Sequence, residues 1–424
     1  MRHSDRSQRT PYVKPVKRIE ISEKNTTLRL VLVVALLAIG AASLGFGLFG
    51  LLNTEPGWSA IEVSSREANC SQEFLLNYDF SDYGSSTTAK NKELITLYTE
   101  ATIEAYQIFN PDVQQEGLNN LHFLNAHPNE IVEVDQTLYR ALSLVQQYGN
   151  RNVFLAPVYV EYNRIFLYEN ETDAQIFDPG QNPELVTYIR EAAAFANDPD
   201  MIDLELLDDF QVRLKVSDAY LDFIQEYEIG ALVDFGWMKN AFIADYLADV
   251  LVEHGFTSGY LASYDGFTRN LDSRGGTYSM NLFDRKDNLV NLPAVMEYSG
   301  PLSVVFLRNY PMVDLDRWHY YSFSNGRIAT VFIDPSDGMS KSSVNNLVSY
   351  SERTGCAEIL LQMVQVFIAD EFMPDAVNAV ANDQVYSIWF EDSVIRYNDS
   401  AISLKLTGKD SSAPYTIADP AEIG

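Results

Sequence analysis

The chain has few of the residues on which thiol and zinc chemistry depend. Its 424 residues include two cysteines, Cys70 and Cys356, and five histidines. Two cysteines so far apart exclude a thiol relay and a cysteine-ligated zinc site, although one disulfide between them remains open outside the cytoplasm. The H-E-x-x-H spacing of a zinc protease is absent from the histidines that follow residue 29, which are His122, His127, His254 and His319.

Two further catalytic signatures are also missing. The sequence contains no G-x-S-x-G elbow and no G-x-x-x-x-G-K-[ST] phosphate loop, so serine-hydrolase and P-loop functions lack their usual support. Pairs of carboxylates, as glycoside hydrolases use them, arise by chance among 59 Asp and Glu residues and therefore predict nothing.

Basic residues are scarce as well. With 30 Lys and Arg against 59 Asp and Glu, the formal net charge is −29. Such a surface repels nucleic acid and anionic lipid, so we expect no nucleic-acid partner. Solubility explains the acidity best, and a store of divalent cations is the alternative.

The N-terminal region predicts membrane attachment. Residues 1–29 hold eight Lys and Arg against three acids, and residues 30–52 are uncharged and almost entirely apolar. This pattern predicts a cytoplasmic basic tail and one transmembrane anchor in the cell membrane, followed by a linker over 53–72 and an extracytoplasmic domain over 73–424. A cleaved signal peptide is the alternative, but the apolar run is longer than usual and no clear cleavage site follows it.

The remaining chain mixes helical and strand-like periodicities, without an internal repeat. These patterns predict an α+β fold with mixed, largely antiparallel sheets and packed helices. Helices are expected over 90–109, 136–148, 183–195, 218–227, 239–254 and 357–369. Strands are expected over 74–80, 131–134, 152–162 paired with 165–168, 210–216, 231–235, 260–262, 277–282, 303–307, 319–323, 328–333, 385–390, 394–397 and 401–405.

The stretch 230–271 combines a predicted strand, a glycine turn, an amphipathic helix and a second strand. Asp234 and Asp265 each stand beside a glycine turn at a predicted strand end, where two carboxylates can build a ligand site. An ordinary βαβ packing unit has the same pattern.

Three segments of the sequence resemble one family. Val233–Asp245, VDFGWMKNAFIAD, is similar to the Asp-Leu-Gly-Gly-Ile-Ala-Lys-Gly-Tyr-Ala-x-Asp segment of the FAD:protein FMN transferases, the ApbE-type family. Ile333–Gly338, IDPSDG, resembles their Ile-Asp-Pro-Arg-Thr-Gly motif. Phe109–Asp112, Leu124-Asn125 and Val132–Val134 follow the order and spacing of their N-terminal region. The resemblance implies an ApbE-like, T-fold-related domain of a divergent member.

The resemblance also implies cofactors, partners and site residues. Such enzymes bind FAD and a divalent metal and transfer FMN to a threonine of a membrane protein, so a membrane redox or flavinylated protein is the implied partner. The implied metal is Mg²⁺, with Glu358 and Gln362 as its ligands. The implied cofactor-binding residues are Asn125, Asp234, Gly236, Lys239, Asn240, Ser263, Asp265, Asp334 and Asp337.

The sequence departs from the family where the chemistry takes place. Asn240 stands at the lysine position and Lys239 one residue earlier, Trp237 replaces the second glycine, and Ser336 replaces the arginine. No residue is assigned a catalytic role. We therefore expect a binding or scaffold protein with impaired or lost FMN transfer. The alternatives are an active Mg²⁺-dependent transferase with a reworked site and an acidic ligand-sensing or adhesion ectodomain.

Overall fold

The computed structural model describes residues 56–64, 73–286, 288–408 and 414–418. The predicted basic tail, the predicted anchor over 30–52 and Cys70 lie outside this range. None of the helices within it is long and apolar enough to cross a membrane. Part of the predicted linker forms a strand, because Trp58–Ile61 pairs antiparallel with Phe74–Asp79.

The described residues contain all six predicted helices and four further ones. In chain order they are α1 (Thr87–Ile108), α2 (Leu121–Ala126), α3 (Gln136–Gln147), α4 (Ala156–Phe166), α5 (Glu171–Ile176), α6 (Pro183–Asn197), α7 (Asp218–Glu226), α8 (Lys239–Glu253), α9 (Cys356–Phe367) and α10 (Pro374–Val380). Side-chain oxygens of Asn or Ser cap the backbone of α2, α6 and α7 at their N-termini, as the polar residue before each apolar run predicts.

The described strands form one large sheet and three small ones. They are β1 (Trp58–Ile61), β2 (Phe74–Asp79), β3 (Ile131–Glu133), β4 (Ile202–Leu206), β5 (Gln211–Val216), β6 (Gly259–Ser263), β7 (Phe267–Asn270), β8 (Thr277–Lys286), β9 (Leu289–Ser299), β10 (Leu302–Arg308), β11 (Tyr320–Ser322), β12 (Ile328–Thr330), β13 (Asn346–Ser351), β14 (Tyr386–Glu391), β15 (Val394–Tyr397), β16 (Ser403–Leu406) and β17 (Thr416–Ile417).

The strand order confirms the predicted α+β fold with largely antiparallel sheets. The large sheet runs β1-β2-β6-β7-β10-β13-β14-β15-β17, and only its β15–β17 pair is parallel. Two three-stranded sheets have the orders β16-β9-β8 and β3-β5-β4, and β11 pairs with β12. The strands predicted over 385–390, 394–397 and 401–405 are divided between two sheets, since β16 joins β9 rather than β15.

Helix α8 lies at the centre of the core that supports the site. Eight of its residues are buried, from Asn240 to Leu251, because the helix is apolar on most of its circumference. It packs against α1 and α9 and against β6 and β7. The N-terminus of α8 is thereby held beside the β6–β7 turn.

The predicted strand pair at 152–162 and 165–168 is wrong, because this segment forms α4. Its buried residues, which include Val158, Tyr159, Tyr162 and Ile165, recur at helical spacing rather than alternating. Pro157 stands in the first turn of α4, where a missing N–H costs nothing. The aromatic and β-branched composition therefore misled the prediction, and the spacing decides the structure.

Two smaller predictions in the same half of the chain also need correction. The polar stretch over 169–182, for which no helix or strand is predicted, contains α5. The strand expected over 231–235 is an irregular segment, because its backbone bonds to the side chain of Asn125 and to the Val153 carbonyl instead of to a neighbouring strand.

Candidate functional site

A cavity of about 290 Å³ opens between the N-terminus of α8, the β6–β7 turn and the turn Asp314–Trp318. We call it the Asp265 cavity. A neighbouring cavity of about 380 Å³, the Asp234 cavity, shares five of its residues. The Asp265 cavity is lined by Glu73, Gly236, Trp237, Lys239, Asn240, Tyr264, Asp265, Leu315, Asp316, Trp318 and His319.

Asn125 shapes the segment that leads into the site. Its side-chain NH₂ donates to the Val233 carbonyl at 2.8 Å, and its Oδ1 accepts from the Leu232 and Val233 amides at 3.1 and 2.9 Å. The amide group, implied by the family resemblance to bind a cofactor, is thus committed to the protein backbone. Its structural effect is to hold Asp234 at the cavity wall.

The Asp234–Gly236 turn is closed by local contacts. The Gly236 amide donates to Asp234 Oδ1 at 2.9 Å. Gly236 has φ +51°, and a Cβ atom there would lie 2.8 Å from the Tyr159 ring, so this position requires glycine. Burial raises the pKa of Asp234, although the Gly236 amide and the Lys239 charge oppose that shift.

Trp237 and Lys239 form the wall shared by the two cavities. Trp237 is 7% exposed and packs edge-to-face on Phe332, with ring centroids 4.8 Å apart. The Lys239 ammonium lies 4.6 Å from the centroid of the Tyr106 ring. An indole thus fills the space beside the turn, and the Lys239 side chain lines both cavities.

The polar wall of the Asp265 cavity is incompletely hydrogen-bonded. The Asn240 side-chain NH₂ donates to Asp265 Oδ2 at 2.9 Å. Asp265 Oδ1 and Asn240 Oδ1 are buried and have no hydrogen-bond partner among the described residues. A buried acceptor without a donor costs about 1–3 kcal/mol, so this wall is suited to a ligand that supplies N–H or O–H groups.

Charges around Asp265 act in opposite directions. Burial raises its pKa, the nearby His319 and the side chains of Ser263 and Asn240 lower it, and the charge of Glu73 raises it. Ser263 stands two residues earlier, and its Oγ accepts from the Phe267 amide at 2.9 Å, which closes the β6–β7 turn. Asp265 is therefore an incompletely satisfied acceptor at a rigid position.

Asp334 and Asp337 lie in a separate turn in which one lysine bridges their carboxylates. The Lys341 ammonium is 3.0 Å from a carboxylate oxygen of each, and also 3.0 Å from Asp370. Burial opposes ionisation of Asp334, but bonds from Ser336 and Lys341 outweigh it and hold its pKa below the ordinary value. Neither aspartate lines the two cavities.

The two implied metal ligands, Glu358 and Gln362, lie one turn apart on α9. The Tyr148 hydroxyl donates to Glu358 Oε1 at 2.5 Å and is 3.5 Å from Gln362 Nε2. Within the described ranges no group of three or more His, Cys, Asp or Glu side chains is placed to hold a metal. Mg²⁺ needs near-octahedral oxygen ligation, and this pair with a tyrosine between them does not fit it.

Magnesium should therefore leave the stability of the protein almost unchanged. We expect about 5 mM MgCl₂ to shift the thermal midpoint by less than about 1 °C, because a ligand stabilises only the state that binds it. Differential scanning fluorimetry checks this, with Tyr148→Phe as the variant that frees Glu358. A magnesium-induced rise of several degrees in the parent chain would contradict this prediction.

Asp245 has a structural role that its place in the motif did not reveal. Its two carboxylate oxygens accept from the Cys356 and Ala357 amides at the N-terminus of α9, each at 2.8 Å. Arg269 of β7 forms an ion pair with the same carboxylate. We call these contacts the Asp245 clamp, which fastens α8, α9 and β7 together.

Sequence reasoning missed Trp318 and His319, which line both cavities. Trp318 is 47% exposed, and the Arg317 guanidinium lies 4.6 Å from the centroid of its ring. An exposed aromatic beside a histidine is too common a pattern to have singled them out. Only the fold brings this turn to the N-terminus of α8.

Comparison with known proteins supports the fold but no closer relation. No model of a known protein family and no curated protein sequence matches the chain. The solved structure of the ApbE protein from Thermotoga maritima matches with a TM-score of 0.54 and 14% identity, over 82% of this chain and 96% of that chain. The flavin transferase ApbE from Vibrio cholerae matches with a TM-score of 0.52 and 11% identity, over 84% and 98%. The chain therefore has the fold of the ApbE flavin transferases.

Proposed function

We propose that this chain is a membrane-anchored, extracytoplasmic flavin-binding protein in which FMN transfer is impaired or lost. The observation that carries the proposal is the contrast between two sets of polar groups. Asp265 Oδ1 and Asn240 Oδ1 at the Asp265 cavity lack donors among the described residues, whereas Glu358 is bonded to Tyr148 at the implied metal position. One site offers acceptors without donors, and at the other the glutamate already accepts from a tyrosine.

The lining of the Asp265 cavity suits a planar ring. Trp318 and Tyr264 are 47% and 46% exposed there, and aromatic faces favour stacked or edge-on contacts with flat ligands. An N–H group on the ring edge would satisfy Asp265 Oδ1 or Asn240 Oδ1. Lys239 would place its charge near a ring carbonyl or a phosphate. The flavin ring has such an N–H between two carbonyl groups and fits these residues.

The same residues fit pyrophosphate cleavage poorly. A metal ion normally neutralises the charge that develops on a departing phosphate, and no described cluster is placed to hold one. Asp265 and Glu73 line the cavity and add negative charge, and Lys239 is the one Lys or Arg among its lining residues. Loss of one stabilising group costs a factor of about 10² or more in rate, so transfer should be slow or absent.

The proposed location rests on the N-terminal sequence. The uncharged apolar run over 30–52 follows a basic tail, which favours a single-pass anchor with its N-terminus in the cytoplasm. A membrane redox protein or a flavinylated protein is the partner that this location and the ApbE-type fold suggest.

Flavin titration tests the proposal. The full chain in lipid nanodiscs would be titrated calorimetrically with FAD, FMN and riboflavin, with and without Mg²⁺, and then incubated with FAD and a threonine-containing acceptor peptide. We expect binding that is independent of Mg²⁺ and no covalent FMN on the peptide. Absence of binding would rule out a flavin function, and FMN transfer would establish the active-transferase alternative.

Replacing Asp265 with asparagine should weaken flavin binding and stabilise the fold. We expect affinity to fall at least about ten-fold, since a charged acceptor is lost from a buried hydrogen bond. Because burial raises the pKa of Asp265, ionisation costs folding free energy, and this cost appears as the pH rises above the unfolded pKa near 4. The free energy of unfolding of the variant should therefore be about 1 kcal/mol higher than that of the parent at neutral pH, and the difference should be smaller at about pH 4.

Calorimetry and urea unfolding at both pH values measure these two effects. Asp314→Asn is the matched control, because Asp314 is exposed in the neighbouring turn and does not line the cavity. In the parent chain, flavin affinity should fall as the pH drops through the raised pKa. Equal affinities for the parent and the Asp265→Asn variant would remove Asp265 from the site.

A further inference from the structure

Strand β8 has an outer edge that is unpaired within the described part of the chain. It lies at the end of the β16-β9-β8 sheet and pairs only with β9. Soluble proteins usually protect such edges with charged residues or proline. The segment 277–283 of β8, TYSMNLF, contains neither. Since no strand of the described ranges pairs with this edge, its outward N–H and C=O groups are a template for another strand.

A groove of about 430 Å³ runs along this edge. Successive side chains of a strand point to opposite faces, so a cavity on one face would touch every second residue. Here the consecutive residues Tyr278, Ser279, Met280 and Asn281 all line the groove, which places it at the strand edge. Its floor is one face of the large sheet, formed by Tyr260, Ala262 and Thr268.

Arg308 contributes an unused donor to the groove. The residue is 3% exposed, and its Nη2 donates to Asp316 Oδ1 at 2.7 Å and to the Tyr264 carbonyl at 3.3 Å. Its Nε is buried and has no partner among the described residues. A buried guanidinium N–H calls for an acceptor oxygen, and a peptide carbonyl is such an acceptor.

We infer that this groove binds an extended segment of a partner polypeptide, which adds to β8 as an antiparallel or parallel strand. Main-chain bonds to β8 supply affinity, and the aromatic and methionine side chains accept alternate apolar residues of the segment. Arg308 is the only charged residue in the lining, so the segment should be uncharged where it lies in the groove.

A second copy of this chain does not fit the same place. The β8 edge faces the floor of the groove, so two such edges cannot approach each other, and two chains of net charge −29 repel. Tyr264 lines both the groove and the Asp265 cavity, which would bring the bound segment to the flavin. The inference itself does not depend on flavin binding.

Hydrogen–deuterium exchange on the full chain in nanodiscs tests the inference. The probe is a capped peptide of about nine residues, alternating valine and threonine with a lysine at each end, at about 1 mM. We expect amide exchange in 278–283 to slow at least about ten-fold, while 289–292 at the hairpin tip is unaffected. The same peptide N-methylated at alternate residues on its pairing edge should give no protection.

Two lysine substitutions distinguish peptide binding in the groove from binding elsewhere on the β8–β9 hairpin. Asn281→Lys should abolish the protection, and Leu289→Lys, at a site 58% exposed outside the groove, should leave it intact. Both variants should bind flavin as the parent does, so a failed flavin titration would not affect this result. No protection in the parent, protection that survives Asn281→Lys, or protection that requires dimerisation would overturn the inference.

Discussion

Replacing Asp245 with alanine should lower the free energy of unfolding by about 4 kcal/mol. The substitution removes the acceptor of two backbone N–H groups at the start of α9 and leaves the Arg269 guanidinium without its main partner. Both side chains of the ion pair are 19% exposed, so water replaces these contacts only in part. Because the carboxylate joins three elements of the core, we expect one cooperative loss rather than local fraying.

Urea unfolding of the full chain, followed by circular dichroism, measures this loss. Asp249→Ala is the matched control on the same helix, since Asp249 is 70% exposed and 4.0 Å from Arg269, and it should cost less than about 1 kcal/mol. Asp245→Asn, which keeps one acceptor oxygen, should fall between the two. Equal effects of Asp245→Ala and Asp249→Ala would show that the clamp contributes little.

Replacing Gly266 with alanine should cost about 3 kcal/mol and abolish flavin binding. Gly266 has φ +113°, a conformation that side-chain-bearing residues rarely adopt, and a Cβ atom there would overlap the Phe306 carbonyl oxygen. The Phe306 amide donates to the Gly266 carbonyl at 2.8 Å, so the two backbones cannot separate without losing this bond. Asp265, one residue earlier, would be displaced from Asn240.

An alanine substitution at a second glycine distinguishes the cost of the backbone conformation from the cost of steric overlap. Gly300 has φ +78°, and a Cβ atom there would meet only open space, so Gly300→Ala should cost only about 1 kcal/mol and leave flavin affinity unchanged. Thermal unfolding and flavin calorimetry on both variants give the comparison. If Gly266→Ala bound flavin with parental affinity, the β6–β7 turn would not belong to the site.

Local sequence patterns predicted much of this fold. They failed at 231–235, where a contact from a residue distant in sequence decides the backbone structure. Helix α8 and the last predicted helix, α9, were expected within two residues of their observed bounds, because their apolar residues keep helical spacing and packing agrees with it. The segment 231–235 is apolar enough for a strand, but the side chain of Asn125, more than 100 residues away, binds its backbone. No window of local sequence contains that partner.

The site shows the same division. Asp234 and Gly236 are assigned from a motif, and a short-range hydrogen bond joins them. The resemblance implies that Asn125 binds a cofactor, but in the fold its side chain bonds the Val233 backbone. Trp318 and His319 line the cavity although no sequence pattern predicts them as site residues. Burial, orphaned acceptors and neighbouring charges depend on the tertiary arrangement, so residue type alone did not reveal which acids are free and which, like Asp334, are already paired.

The Asp245 clamp also constrains how this sequence can change over time. Gly355 lies against the clamp, and any Cβ atom there would overlap the Asp245 carboxylate. A single substitution would disrupt these contacts, whether it places a longer acid at 245, a side chain at 355 or a shorter basic residue at 269. A second, compensating substitution can restore them. Related sequences should therefore substitute positions 245, 269 and 355 together, as one inherited unit.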